Sequence, residues 1–337
     1  MAILTNDMPT LASAAALFTG EGKSKVIAEL IEQTNPELSS IPMIEANSNI
    51  GLQVSARQSL PEIFRRRINQ GIRPTASGYG AVTESAGIYT GLGQIDKALV
   101  DISTDKQKLR MTENKGHIMA MGQGFMSDLF YGDSNVNAES FMGLAPRFAT
   151  LGTTNRADVQ VLDAGGTGSD LCSVWLVGWG EGSVSGFYPQ GSEAGISHNA
   201  EDLVTCHDRD KNQFLGYKDW FELKAGIGVW DYRQIVRIAN IPWKLLEAGD
   251  PATGLPAGVP ALVNLFTLAL EMLNTTSGVS PAFYVPRTVS AFLRLQIQNK
   301  ANVFLSDREV AGRKVTHFDN VPVYRTDALL LNETQVE

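Results

Sequence analysis

The chain contains 337 residues, of which 43% are hydrophobic and 19% charged, a balance that is typical of a folded globular protein and excludes a disordered one. Because 28 Lys and Arg stand against 36 Asp and Glu, the net charge is −8, which argues against a protein whose main task is to grip nucleic-acid phosphates. Two cysteines are too few for a disulfide framework and suit a reducing cytosol, and no apolar run approaches the roughly 20 residues of a membrane span.

The first 50 residues are expected to form an arm that lies across other subunits, with one short helix at residues 24–33. Their short apolar stretches alternate with turn-forming pairs such as Asn35-Pro36 and Ile41-Pro42. No basic cluster precedes an apolar segment in residues 1–10, so a secretory signal is not expected.

Residues 51–101 offer little from which an independent core could form. Two runs, 60–71 and 80–91, flank a tip at residues 73–80 that is rich in Pro, Gly and small polar residues. The second run alternates and predicts a strand; the first fits a short helix after Pro61 as well as extended structure, and we favour extended structure. A lone hairpin is marginal in water and its edges invite pairing, so this region indicates a polymer in which other copies cover it.

Three consecutive arginines, Arg65, Arg66 and Arg67, lie on this predicted hairpin. One interpretation is a solvated charged face, since exposed charges usually contribute little energy. The other is a contact with acidic residues of a neighbouring subunit. The sequence leaves both interpretations open.

A long amphipathic helix is predicted over residues 104–130, about 40 Å in length at roughly 1.5 Å per residue. Ile118, Met121, Phe125 and Leu129 recur at helical spacing and predict one apolar face. Ser103 or Thr104 is expected to cap its start, with Asp105 in the first turn, and the helix is expected to end at residues 130–133.

The rest of the chain predicts a mixture of strands and helices. Strands are expected at residues 159–163 and 172–179, a hairpin joins 203–206 to 214–225, and residues 231–239 alternate. Helices are expected at 260–274 and 287–298, with a buried strand at 282–286 and further strands around residues 315 and 322–324. This order indicates an α+β protein rather than a regular βαβ nucleotide-binding sheet.

No catalytic, cofactor-binding or metal-ligating residues are predicted, and the chain is not expected to be an enzyme. Four short motifs each lack a residue that their chemistry requires. In Gly22-Lys23-Ser24 the first glycine of a phosphate loop is replaced by Leu17, and in Gly166-Thr167-Gly168 the third glycine of a dinucleotide motif is replaced by Leu171. In Asp208-Asp210-Asn212 the glycine of a calcium loop is replaced by Gln213, and the serines of Gly182–Gly186 are at the wrong positions for a nucleophile elbow. Cys206 and His207 are adjacent and on a strand would face opposite sides. His117 stands alone on the long helix.

Several segments together resemble the major capsid proteins of tailed bacteriophages with the Hong Kong 97-like fold, particularly those of podovirus-type phages. They cover most of residues 60–330 and comprise residues 67–74, 128–133, 141–148, 161–170, 175–180, 230–233 and 236–241. The resemblance implies an N-terminal arm at 1–50, an extended β-hairpin loop at 51–103, a peripheral domain with a long spine helix and a β-rich insertion at 104–257, and an axial domain at 258–337.

The resemblance also implies a function. Copies of the chain would form hexamers and pentamers of an icosahedral shell that encloses double-stranded DNA without sequence-specific binding, in a virion assembled in the bacterial host cytoplasm. Scaffolding, portal and cement proteins are the expected partners, with no cofactor and no membrane. The hairpin would lie over a neighbour's peripheral domain, burying residues such as Phe64 and Ile88, and Gly91-Leu92-Gly93 would act as a hinge at its base. The alternatives are an encapsulin-like nanocompartment shell or, less favoured, a soluble hydrolase.

Overall fold

A computed structural model of the protein describes residues 41–49, 51–103, 106–152, 157–192, 195–208, 210–248, 262–274, 278–299, 305–310 and 313–337. The helix expected at residues 24–33, and the capping residues Thr104 and Asp105, lie outside these ranges. No helix in the described ranges is both long and apolar enough to cross a membrane.

The described residues form strands and helices in the order of an α+β protein. The strands are β1 (Met43–Glu45), β2 (Gly51–Ser59), β3 (Gly78–Ser85), β4 (Gly87–Asp96), β5 (Val161–Asp163), β6 (Leu171–Trp179), β7 (Val184–Tyr188), β8 (Ile196–His207), β9 (Gln213–Val229), β10 (Ile235–Pro242), β11 (Ser280–Val285), β12 (Leu305–Val310), β13 (Arg313–Phe318) and β14 (Val321–Arg325). The helices are α1 (Lys97–Ile102), α2 (Lys106–Tyr131), α3 (Trp243–Ala248), α4 (Leu262–Met272) and α5 (Arg287–Asn299).

One mixed sheet of 12 strands forms the body, in the order β12-β13-β14-β11-β6-β7-β9-β4. Strand β10 pairs with β6 and β5, β8 pairs with β9, and β1 pairs with β7. Because β6 hydrogen-bonds to both β10 and β11, the sheet runs across the predicted boundary between residues 257 and 258. Among the described strands β2 and β3 pair only with each other, over Gly51↔Ser85 to Ser59↔Gly78, and form a separate two-stranded sheet.

The centre of the sheet is covered on both faces, which explains why β6 is buried along its whole length. On one face Trp175 and Val177 pack in the same cluster as Phe130 of α2. On the other face Val174 and Leu176 pack with α4 and α5. The strand β10 is buried throughout as well, so the alternation expected for residues 231–239 is wrong.

The long helix is confirmed as α2, whose 26 residues span about 39 Å. Met121, Phe125 and Leu129 are buried as predicted, but Ile118 is 43% exposed and lies outside the core. The helix ends where expected: Gly132 closes its last turn by donating its backbone N–H to the carbonyl of Asp128 at 2.8 Å, and the carbonyl of Gly132 accepts from Gly143 in the run that follows. The other capping residue considered, Ser103, instead ends α1, with its backbone N–H bonded to the Val100 carbonyl.

The hairpin differs from its prediction in both strands. Residues 60–71 form neither a strand nor a helix, since β2 ends at Ser59 and the whole of residues 60–77 connects it to β3. The second strand is interrupted at Ala86, after which β4 pairs with β9 from Gly87↔Ala225 to Asp96↔Gly216. Residues 87–96 are therefore part of the body sheet. The proposed hinge at residues 91–93 is wrong, because these residues lie in the middle of that fully paired strand.

The remaining elements agree with the sequence apart from their bounds. The first strand of the β-rich block shortens to β5, because residues 158–160 form a 3₁₀ turn. The predicted hairpin across residues 208–212 is present and longer, formed by β8 and β9. The helices α4 and α5 and the strands β11, β13 and β14 lie where they were expected.

Candidate assembly surface

The base of the hairpin is packed firmly on the body. Leu52 and Val54 of β2 are buried in one cluster with Phe187 of β7. The fit is close, since a Cβ built on Gly228 of β9 would lie 2.3 Å from the Leu52 side chain. A larger residue at position 228 would therefore push the hairpin away from the sheet.

In the structure the tip of the hairpin is the whole segment between β2 and β3, residues 60–77, and not the predicted 73–80; it presents apolar side chains that the described residues leave exposed. Ile63 is 89% exposed and Ile68 is 93% exposed, and Leu60 and Ile72 are also exposed. Isolated exposed apolar residues are common, but several on one short protruding segment mark an interaction site.

The tip also has an internal structure and a charge of its own. Arg73 donates to Glu62 at 2.7 Å, and its guanidinium lies 4.9 Å from the centre of the Phe64 ring. One Glu and four Arg give residues 60–77 a charge of +3, so the rest of the chain carries −11 if the total is −8. The tip is thus electrostatically complementary to the remainder of another copy.

The arginine triplet is fully part of this exposed surface. The side chains of Arg65, Arg66 and Arg67 are exposed, and within the described ranges none of the three forms an ion pair. Arg66 donates only a long hydrogen bond, 3.4 Å, to the carbonyl of Gln70. Neither of the two interpretations of the triplet is decided by the chain alone.

The three strands β8, β9 and β4 present a second apolar surface on the body. In the register Leu92 lies opposite Trp220, which in turn lies opposite Asn199. Trp220 is 46% exposed, and Leu92 and Ile88 are exposed beside it. Next to Ile88, at the base of the hairpin, an open cavity of about 390 Å³ is lined also by Pro189 and Lys224. We call this surface the outer sheet face, defined by Ile88, Leu92 and Trp220.

The opposite face of the same three strands binds the spine helix through a row of aromatic rings. His198 and Phe221 stack at 4.5 Å with an interplanar angle of 5°, and His117 of α2 stacks on Phe221 at 5.5 Å. The imidazole of His117 fills the space left by two glycines, since a Cβ on Gly91 or Gly93 would lie 3.3 or 3.2 Å from it. The isolated histidine of the sequence is therefore a packing residue.

A buried carboxylate fastens this helix to the sheet. Asp219 of β9 accepts hydrogen bonds from Arg110 of α2 at 2.6 Å and is 2.7 Å from the ring nitrogen of His198. Burial alone would raise the pKa of Asp219, but the hydrogen bonds from Arg110 and His198 outweigh it and hold that pKa below its usual value. Arg110 also pairs with Asp202.

The failed sequence motifs within the described ranges form ordinary turns and core contacts, whereas Gly22-Lys23-Ser24 lies outside those ranges. Asp208 caps its own hairpin turn by accepting the backbone N–H of Asn212 at 2.7 Å. Gly165 and Gly168 adopt positive φ angles in the loop before β6. Cys206 is buried while its neighbour His207 is exposed. No group of three or more potential metal ligands occurs among the residues that the structure covers.

Comparisons with known proteins agree with this architecture. Among solved structures the chain is similar to bacteriophage Epsilon15, with 28% sequence identity, a TM-score of 0.75, and coverage of 100% of this chain and 99% of the other. The bacteriophage JBD30 capsid (11% identity, TM-score 0.46, coverage 98% and 100%) and the holo-SrpI encapsulin complex from Synechococcus elongatus PCC 7942 (10%, 0.43, 65% and 92%) also match. No curated protein matches the sequence.

The spine helix, the hairpin and the mixed sheet define the Hong Kong 97-like fold of tailed-phage capsid proteins, as the resemblance predicted. The family model of major capsid protein GP7 matches residues 19–337, and the chain belongs to this family. As a major capsid protein it has a structural role, assembles with copies of itself into a shell, and is a component of the phage particle.

Sequence reasoning located the hairpin and the spine helix but missed the residues that join them. Glu84 was assigned to an alternating strand, yet it is buried and bonded to Arg147 in the run after the helix. The only signal available was an acidic residue at a position where the strand pattern expects an apolar one. The outer sheet face was missed apart from Ile88.

Proposed function

We propose that this major capsid protein forms hexamers and pentamers in which the hairpin tip of one copy lies on the outer sheet face of the next. The observation that carries the proposal is the tip itself, residues 60–77, with exposed apolar side chains and a charge of +3 against −11 elsewhere in the chain. A ring in which the same two patches meet repeatedly is a heterologous assembly, which closes when the rotation is correct.

Association would cover what the single chain leaves exposed. Ile63 and Ile68 of the tip gain an apolar partner in Ile88, Leu92 and Trp220, and burial of each large aliphatic side chain is worth about 1.5–3 kcal/mol. The arginine triplet then meets a copy whose remaining charge is negative, which favours encounter and orientation. Obligate interfaces commonly bury more than about 2,000 Å², so the tip would be one part of a larger contact.

The wider role follows from shell formation. We propose an icosahedral shell that encloses double-stranded DNA without sequence-specific binding, consistent with the net charge of −8. It would assemble in the bacterial host cytoplasm with scaffolding, portal and cement proteins, and it would carry no catalytic activity, cofactor or metal. We also propose that the chain divides into an N-terminal arm (1–50), an extended loop (51–103), a peripheral domain (104–257) and an axial domain (258–337). Membership of a phage capsid family favours this role over a nanocompartment shell or a hydrolase.

The test compares charged and apolar replacements at the two most exposed tip positions. Ile63→Asp and Ile68→Asp should prevent shells from forming, as seen by electron microscopy of the chain expressed with its scaffolding protein. Ile63→Leu and Ile68→Leu are the matched controls and should assemble normally. Trypsin cleavage at residues 65–67 should also be fast in the unassembled chain and strongly reduced in shells. Normal shells from both aspartate variants, or undiminished cleavage in shells, would contradict the proposed contact.

A further inference from the structure

The hairpin meets the body at a junction of three residues, Ser85, Ala86 and Gly87, between the end of β3 and the start of β4. On one side of the junction β3 pairs only with β2, and on the other side β4 pairs only with β9. The direction in which the hairpin leaves the body therefore depends on what holds these residues, together with the packing of Leu52 and Val54 on Phe187.

Glu84, directly before the junction, is held by a bidentate ion pair. It is 5% exposed and accepts hydrogen bonds from both terminal nitrogens of Arg147, each at 2.7 Å. Two further donors of this guanidinium bond to the carbonyls of Gly143 at 3.0 Å and Met142 at 2.9 Å, so four of its five N–H groups are used. A bidentate pair that is anchored in this way permits little rotation.

A second tether holds the other side of the junction. Tyr89 of β4 donates its hydroxyl proton to Asp128 of α2 at 2.6 Å. Burial, together with this hydrogen bond to the carboxylate, raises the pKa of Tyr89, so the phenol remains protonated. A Cβ on Gly87 would lie 3.2 Å from the Phe141 ring, which leaves no space for the junction to shift inward.

Both tethers come from one rigid element, residues 128–148, which we call the helix-end block. The end of α2 and the run after it are joined by backbone hydrogen bonds from Gly143 to Gly132 at 2.8 Å and from Leu144 to Leu129 at 2.9 Å. The approach is too close for a side chain, since a Cβ on Gly132 or Gly143 would lie 2.5 or 2.4 Å from a backbone oxygen. A movement of the end of the spine helix would therefore carry with it Asp128 and Arg147, the partners of Tyr89 and Glu84.

We propose that Arg147 is a positioning residue, which fixes the direction of the hairpin through Glu84 and so places its tip for assembly. The inference rests on the proposed function, in which that tip docks on a second copy. The nine residues of β2 span about 30 Å, so a rotation of about 10° at the junction moves the tip by about 5 Å. Such a displacement exceeds the distance at which two side chains make contact.

The test measures the hairpin's direction in the full chain before assembly. Spin labels are placed at Gly71→Cys, where the added atom meets nothing within 4 Å, and at Val136→Cys, which is 85% exposed; the native Cys172 and Cys206 are buried. The distance distribution between the labels is compared for the parent chain, Arg147→Lys and Glu84→Gln. Arg147→Lys and Glu84→Gln should both broaden the distance distribution by about 5 Å, the displacement expected at the tip of the hairpin.

Arg287→Lys is the matched control, because Arg287 also pairs bidentately with a carboxylate, Asp327, but far from the hairpin. It should leave the distribution narrow. If Glu84→Gln fails to fold, Arg147→Lys still decides the matter, since it keeps a positive charge against Glu84. A distribution as narrow in Arg147→Lys as in the control overturns the positioning role.

Electron microscopy of the same variants separates this inference from the function on which it rests. Misplaced but intact tips should give malformed shells for Arg147→Lys and normal shells for Arg287→Lys. If Ile63→Asp and Ile68→Asp both assemble normally, the tip contact is refuted whatever the distance distributions are. If Ile63→Asp blocks assembly while Arg147→Lys forms normal shells, the contact stands and the positioning role fails.

Discussion

Replacing Glu333 by alanine should be among the most destabilising single substitutions in the described part of the chain. Glu333 is buried and accepts hydrogen bonds from Tyr131 at 2.5 Å, Ser173 at 2.5 Å and Arg237 at 2.8 Å. It joins the C-terminal segment to the end of α2, to β6 and to β10. Arg237 is itself 4% exposed, so without Glu333 its charge would remain buried and unpaired.

The expected cost follows from that unpaired charge. Removing one partner of a buried ion pair costs about 3–5 kcal/mol, whereas replacing both partners by apolar residues of similar volume is often neutral or stabilising. Glu333→Ala should therefore lower the free energy of unfolding by about 3–5 kcal/mol. The double variant Arg237→Met with Glu333→Leu should recover a large part of this loss, although Arg237 also donates to the Phe148 carbonyl.

The assay is urea unfolding of the dissociated subunit, followed by the fluorescence of the buried residues Trp175 and Trp179. Asp170→Ala is the matched control, because Asp170 pairs with Lys244 at 2.7 Å with both side chains more than half exposed. That change should cost no more than about 1 kcal/mol. A loss for Glu333→Ala as small as that of the control, or a double variant weaker than Glu333→Ala, would refute the reasoning.

Three further predictions concern the sheet beneath the spine helix and the thiols. Gly93→Val should destabilise the subunit by about 1–3 kcal/mol in the same unfolding assay, because the added side chain meets His117. Gly116→Ala on α2, where an added Cβ meets nothing, should stabilise the subunit by up to about 1 kcal/mol. Equal effects of the two changes would contradict the prediction. The pKa of Asp219 is lower in the folded chain than in the unfolded chain, where it is about 4, so its contribution to stability is complete above pH 4 and is lost as the pH falls through the folded pKa. Asp219→Asn should therefore make the free energy of unfolding less dependent on pH below about 4. An unchanged acid transition would count against the prediction. Burial raises the pKa of Cys172, so a thiol reagent should label it only on unfolding, and rapid native labelling would disprove its burial.

The helices and strands that could be predicted from the sequence are those with strong local patterns. The apolar spacing of Met121, Phe125 and Leu129 was enough to predict α2, and the pattern of residues 172–179 was enough to predict β6 as a strand. The row of residues at intervals of four that packs on the sheet continues from Met121 to His117, which fills the space over Gly91 and Gly93. Ile118 lies beside this row and is exposed. A period predicts a face, but the partner decides how far along the helix that face is covered.

The bounds of the hairpin, the residues that hold it and the pairing of buried charges could be seen only in the folded chain. Residues 60–71 carry apolar residues like a strand, yet none of the strands in the described ranges pairs with them. Glu84 and Arg147 are 63 residues apart, and Arg237 and Glu333 are 96 apart. Strand pairing and the pairing of buried charges depend on distant segments that meet only in the folded chain, and local sequence carries no signal of that meeting.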